Sequence, residues 1–329
     1  VPGPAQNVTG PPHVARNDGL RAARGLGVTE NPPDPLDPDR RWVRGYRFNY
    51  GPCVAGYTLD PCEPDPSPPV IAGPGGERWI EPFVVAVDRR CSTWGWEAAD
   101  YATEAARLLD ANQYDIIARE LWRGDQAILS GWTDPDPTPE TGGPGNTYLS
   151  GDWDPEWLNL IEFSGGDPLT DTMNPVEGIA ALDQALTGCS PGPGLIHITK
   201  RLHDILASYG NVLRSDGGRV FTAAGTQVIA DGGYDGSGPD SLGKPAATAT
   251  REWAYATGPI TIRLEQGEPL LTPRADQFEQ AVDRENNNIE FIAQRKASVS
   301  WGCCHIGVAI APVAEGLVPD DEESPAESV

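Results

Sequence analysis

No run of eighteen apolar residues occurs in this 329-residue chain, which excludes a membrane-spanning helix. The opening Val1-Pro-Gly-Pro-Ala-Gln6 has neither a basic stretch nor an apolar one, so the expectation is a chain with no signal peptide in this form. Lysine is scarce, with only Lys200, Lys244 and Lys296. The six cysteines, Cys53, Cys62, Cys91, Cys189, Cys303 and Cys304, are too few and too dispersed to frame a small secreted domain, although Cys53 and Cys62 could pair across a loop. Asn7-Val8-Thr9 fits a glycosylation acceptor and, without a secretory signal, reads as chance. There is no internal repeat, phosphate-cradling loop, nucleophile elbow, dinucleotide fingerprint or paired-histidine metal helix.

What the chain does have is acid, proline and glycine. Against 24 basic residues stand 48 acidic ones, a formal net charge of −24 that disfavours nucleic acid and anionic membranes as direct partners. The first fifty residues run the other way, with seven Arg and five acids for a net of +2, leaving −26 for the remainder. An Arg-bearing arm on an acidic body suits docking across a neighbouring subunit; an ordinary surface arm with scattered Arg is the plain alternative. The 33 prolines and 38 glycines imply much loop and extended chain between the regular elements.

Residues 1–45 carry Pro11-Pro12 and Pro32-Pro33 and no sustained periodicity, and read as an extended arm ordered only by docking elsewhere. Trp42–Tyr50 and Trp79–Val87 alternate as strands around a Pro/Gly-rich excursion, predicting a long-looped strand pair. From Trp96 to Trp122, Tyr101, Ala105, Leu108, Leu109, Ile116, Ile117 and Leu121 recur at helical spacing, and Gly124 follows as a cap. Asn174-Pro175 and Glu177 open a second helix with Ile179, Leu182 and Leu186 inward and Gly188 at its end. Gly194–Ile198 reads as a buried strand, and Thr199 caps a helix with Leu202, Ile205, Leu206 and Tyr209 inward. Val220-Phe221 and Gln227–Ala230 read as strands, and a Trp/Tyr-bearing strand ending in Gly258-Pro259 leads through Ile260-Thr-Ile262-Arg263 toward a short capped helix. Thr272-Pro273 is expected to open a last helix bearing Phe278, Ala281 and Val282. Asn288–Ala311 then alternates as one very long strand, with Ile289, Phe291, Ala293, Ala297, Val299 and Trp301 on one face.

Each chemistry-bearing cluster has a plain reading. In a strand, Cys303 and His305 share one side and Cys304 faces the other; a zinc site would need His13, His197, His203 or Cys189 in addition, so buried thiols are preferred. His197 and His203 read as hydrogen-bonded structural histidines. Asp231, Asp235 and Asp240 in a Gly-rich loop could hold a hard cation, but their spacing fits no EF-hand and a turn is preferred. Trp94, Trp96, Trp122, Trp132, Trp153 and Trp157 gather around the long helix, a density that tilts toward subunit interfaces. No catalytic, cofactor-binding or metal residue is assigned.

The element order, together with Arg119-Glu-Leu-Trp-Arg-Gly124, Gly194-Leu-Ile-His197, Thr222-Ala-Ala-Gly-Thr226, Gly232-Gly-Tyr234, Trp253-Ala-Tyr-Ala-Thr-Gly-Pro259, Arg295 and Trp301-Gly-Cys-Cys-His305, resembles major capsid proteins of tailed bacteriophages with the HK97 fold, and phages of actinobacteria in particular. The likeness runs from about Pro82 to Ala311. It implies an α+β fold with an N-terminal arm (1–45), an E-loop-like strand pair (46–90), a spine helix with part of the peripheral P domain (91–175), an axial A domain (176–258), a returning P-domain helix and strands (259–312) and an acidic tail (313–329). It further implies a homo-oligomer of hexamers and pentamers in the virion, assembled in the host cytoplasm. Such a shell encloses double-stranded DNA without sequence-specific binding, touches no membrane, and has decoration, portal or scaffolding proteins as possible partners. Lys–Asn cross-linking is not expected, since no lysine lies in the looped segment. The alternatives are a minor vertex, decoration or tail protein, an encapsulin-like nanocompartment shell, and, from another class, a metal-dependent hydrolase using Cys303, His305 and the aspartate loop.

Overall fold

The computed structural model describes residues 18–25, 27–32, 46–50, 76–80, 82–92, 98–126, 148–151, 157–189, 193–239, 242–273, 282–283, 288–302 and 304–312. These form an α+β fold of two large sheets and a small two-stranded one. The first large sheet is organised around β14 (Asn288–Trp301). Along one edge, β4 (Phe83–Ser92) pairs antiparallel from Ala297↔Phe83 to Asn288↔Ser92. The opposite edge is shared by β11 (Ile260–Leu264), β12 (Leu270–Pro273) and the short β13 (Val282–Asp283). A three-residue strand, β1 (Val28–Glu30), adds in parallel to β11.

Across one face of this sheet lies α2 (Ala98–Arg123), the predicted long helix, with Tyr101, Ala105, Leu109, Ile117 and Leu121 buried along one stripe. Arg295 marks the sheet face it covers, donating to Gln113 Oε1 (2.8 Å) and Asp110 Oδ1 (3.2 Å) of the helix. Gly124 ends it at φ +62°, its N–H bonded to Glu120 O at 2.8 Å. A Cβ there would also sit 2.2 Å from the Tyr148 ring, so conformation and space both demand glycine.

The second sheet has seven strands in the order β5 (Trp157–Asn159), β15 (His305–Ile310), β10 (Glu252–Thr257), β6 (Leu195–Thr199), β9 (Gln227–Asp231), β8 (Arg219–Thr222) and β7 (Leu213–Asp216). β6, β10 and β15 are buried at every position, as continuous apolar strands covered on both faces must be. Helices α4 (Pro175–Cys189) and α5 (Lys200–Ser208) pack against it. Their predicted caps are present: Asn174 Oδ1 accepts from Glu177 N at 2.9 Å, and Thr199 Oγ1 from Leu202 N at 3.0 Å. α4 runs one residue past Gly188, to Cys189. A single turn, α3 (Leu160–Phe163), lies against β15. Trp122 at the end of α2 is fully buried, 4.9 Å edge-on to Tyr255 and 4.8 Å from Tyr234, so the long helix touches both halves of the core.

Several expectations are corrected. The long run Asn288–Ala311 is two strands in two sheets. β10/β15 and β11/β14 form one antiparallel ribbon that turns from the second sheet into the first. Between the pairs Thr257↔His305 and Ile260↔Trp301, one strand has two residues and the other three, an extra residue of the kind that bends a ribbon. Thr272-Pro273 ends edge strand β12 rather than opening a helix, and Val282 lies in β13; residues 274–281 are outside the described set. Proline suits an edge strand, where no ladder donor is needed on the open side.

Within the anticipated arm, residues 18–25 and 27–32 are part of the body. They form α1 (Gly19–Ala22) and β1, with Leu20, Ala23 and Val28 in the core. The rest of residues 1–45 lies outside the described set. The looped strand pair divides as well: β2 (Tyr46–Tyr50) pairs with β3 (Gly76–Ile80), whereas β4 joins β14. Tyr209, expected inward, is exposed. Trp122, which the sequence tilted toward an interface, serves the chain's own core; Trp94, Trp96, Trp132 and Trp153 are outside the described residues.

Candidate assembly elements and the corner between the sheets

The chemistry-bearing residues are built into the core rather than gathered at a cavity. His197, fully buried in β6, is 2.9 Å from both Tyr234 Oη and Thr257 Oγ1. Burial, helped by nearby His305, depresses its pKa to about 3, so it is a neutral hydrogen-bonded strut. His305 Nε2 donates to Leu149 O at 2.9 Å. His203 is part-exposed on α5, its Nδ1 3.1 Å from Asp204. Among the described residues no group of three His, Cys, Asp or Glu could hold a metal ion. His13, Cys53, Cys62, Asp240 and Cys303 lie outside them. A cleft of about 1260 Å³ is lined mainly by hydroxyl-bearing and small residues such as Ser164, Thr170 and Thr248, with Asp171 and Arg251 among them and no histidine or cysteine.

Cys304 is not a buried thiol in a strand. It sits in the ribbon's corner at φ +78° and is disulfide-bonded to Cys189, the last residue of α4. Sequence reading missed this pair because 115 residues separate the two positions. The corner is further tied by Gly302 N–H to Pro259 O at 3.0 Å and by the Trp301 ring edge-on to His305 at 5.3 Å.

The aspartate loop binds the chain to itself. Asp231 accepts from Leu20 N and Gly233 N, both at 2.9 Å, and Asp235 from Ser237 N at 2.9 Å. Burial outweighs those backbone donors and raises the Asp231 pKa to about 6. Around Asp231, the leading segment is held by Lys200 Nζ to Asp18 (2.7 Å) and by Arg219 to the carbonyls of Ala22 (3.0 Å) and Arg24 (3.1 Å). Farther along, Arg24 bonds Glu30 at 2.7 Å, Tyr114 Oη donates to the same carboxylate, and Leu264 N donates to Asn31 Oδ1 at 2.8 Å. Burial favours the neutral Glu30 carboxyl, but the bonds from Tyr114 and Arg24 win and hold its pKa below the ordinary value.

The lysines are dispersed: Lys200 serves Asp18, Lys244 bonds Arg123 O and lies 4.9 Å over the Tyr148 ring, and Lys296 is exposed on β14. Beside Lys296 the sheet face away from α2 is partly bare. Register places Val84, Ala86 and Leu270 together there, with Val84 51% and Leu270 62% exposed. The β2–β3 hairpin reaches the corner end of that face, where the Arg263 guanidinium lies 5.1 Å over the Tyr46 ring and Ser298 and Ser300 are buried. On α3, beside the second sheet, Phe163 is 78% exposed. Among the described residues no helix is long and apolar enough to cross a membrane.

No protein-family model and no curated protein matches the chain. Among solved structures it is similar to the capsid of Ralstonia phage GP4 at 12% identity and a TM-score of 0.49, over 94% of this chain and 95% of that one. It is also similar to the holo-SrpI encapsulin complex of Synechococcus elongatus PCC 7942, at 12% identity and 0.44, over 94% and 92%. A third similarity, to Mycobacterium phage Ogopogo, is at 13% identity and 0.42, over 92% and 96%. All three scores are below one half.

Proposed function

We propose that this chain is a structural subunit of an icosahedral phage capsid, with the HK97 fold, which assembles into hexamers and pentamers around double-stranded DNA. The observation that carries the reading is the division of labour in the first sheet. One face is packed under the 26-residue helix α2, whereas the other leaves Val84 and Leu270 bare, with the β2–β3 pair lying at its corner end. A half-clothed sheet continuous with a fully clothed one suits a tile whose neighbours complete it. Support for a non-catalytic role comes from His197 and Asp231, whose side chains are both occupied in holding elements together; the cleft carries Asp171, Tyr209 and Arg251 but no histidine or cysteine. A net charge of −24 on the wall repels phosphate and leaves packaged DNA unattached.

The test is negative-stain microscopy and light scattering of the expressed chain, alone and with any scaffolding partner from the same genome. Rings, tubes or closed shells are expected; a monomer under both conditions ends the reading. Particle contents separate a capsid from a nanocompartment: nuclease-protected DNA from the native source fits the first, enzyme cargo the second.

A further inference from the structure

The last residue of α4 and the residue that precedes β15 are covalently joined, and the lengths of the two elements explain what the bond does. At its start, α4 is tied to the far end of β15: Met173 N donates to Ala309 O and Ala311 N to Met173 O, both at 2.9 Å. From there the 15-residue helix rises about 22 Å, and the strand from Cys304 to Ala311 extends about 23 Å. Helix and strand therefore run antiparallel at matched length, pinned at one end by backbone bonds and at the other by Cys189–Cys304. The second pin sits in the corner itself, where Cys304 holds a left-handed conformation that a residue with a Cβ adopts only when its surroundings impose it. Gly302 ties the ribbon's two strands to one another and the Trp301–His305 contact spans the bend along one of them, but the sulfur bridge is what connects this side of the corner to α4.

We propose that the Cys189–Cys304 pair is a redox-set lock on the corner, which leaves the start of β15 free to part from the end of α4 in the dithiol form and holds the two together in the disulfide form. Cys189 is half-buried and Cys304 only 1% exposed, so Cys189 is the point of entry. Its thiolate attacks a small-molecule disulfide such as oxidised glutathione, releasing one thiol and leaving a mixed disulfide on Cys189. The Cys304 thiolate then displaces the second thiol from the Cys189 sulfur. Two protein thiols are oxidised and one small disulfide is reduced to two thiols. On the shell reading, subunits would join while the corner still yields, and oxidation after assembly would hold the curvature reached. That consequence rests on the proposed function; the lock itself does not.

The experiment uses the full chain, divided between oxidised glutathione and dithiothreitol. Peptide mapping is expected to recover a Cys189–Cys304 linkage from the oxidised sample alone. Backbone amides from 305 to 307 and from 186 to 189 are expected to exchange hydrogen about tenfold faster in the reduced sample, with little change in β6 and β9. Cys189→Ser should exchange like the reduced chain under both conditions, and a variant that keeps only Cys189 and Cys304 should still switch. The lock is overturned if oxidation links other cysteines, if exchange is the same in both states, or if Cys189→Ser retains the oxidised pattern. A chain that switches in this way yet never assembles would sink the shell reading and leave the lock standing.

Discussion

The two sheets share one ribbon and yet differ in how much the chain itself completes them. In the second sheet β6, β10 and β15 are buried at every position, between helices on one side and Trp122, Tyr234 and Tyr255 near the other. In the first, Val85, Ala293 and Ala297 are buried under α2 while Val84 and Leu270 on the opposite face are exposed. A sheet clothed on both faces is a stability element; a sheet clothed on one is a stability element and a surface at once. Substitutions on the two should therefore read out differently.

The largest expected effect lies in the complete sheet. Val308→Asp on β15 buries a carboxylate with no partner, costs more than about 4 kcal/mol, and should leave an insoluble or unfolded chain by circular dichroism. Next, Leu20→Ala in the leading segment should cost about 2–5 kcal/mol in urea unfolding, because that side chain belongs to the core. A free arm would show no change, so a negligible effect would return the leading segment to the extended arm.

Acid titration sharpens the comparison further. His197, depressed to about 3 from 6.5, stays neutral in the folded chain while the unfolded chain takes up a proton, so it withdraws stability as pH falls below 6.5, by about 1.4 kcal/mol per unit. Asp231, raised to about 6 from 3.8, takes up its proton in the folded chain first, so it adds stability as pH falls from 6 toward 3.8. His197→Gln should flatten the acid loss of Tm relative to the parent chain, and Asp231→Asn should steepen it. Changes of the same sign in both would contradict these assignments.

The smallest effect on the subunit itself is expected on the bare face. Val84→Ser with Leu270→Ser should shift subunit stability by less than about 1 kcal/mol. Particle yield should nevertheless fall, because these residues would be buried only between copies. An unaltered yield would take this face out of the assembly mechanism.

What could be seen in the sequence was whatever is encoded locally. The long helix announced itself through Tyr101, Ala105, Leu109, Ile117 and Leu121 at four-residue multiples, and its end through Gly124. Asn174 and Thr199 each cap a neighbour three residues away, so their hydrogen bonds were foreseeable. His197 was anticipated as a hydrogen-bonded strut, although its partners Tyr234 and Thr257 were not. The corner escaped notice because its extra residue falls among Gly302 and the cysteines, where small side chains leave the alternation outwardly intact. The Cys189–Cys304 bond depends on the strand order that brings α4 alongside β15, which no spacing records. The leading segment escaped because a four-residue helix and a three-residue strand are too short to display a period.

Because the ribbon spends three residues on one side of its bend and two on the other, the bend has a hand and cannot be reversed by flexing. If the proposed tiling is right, a wall laid from such pieces would have its inside and outside decided within each piece, before any neighbour arrives.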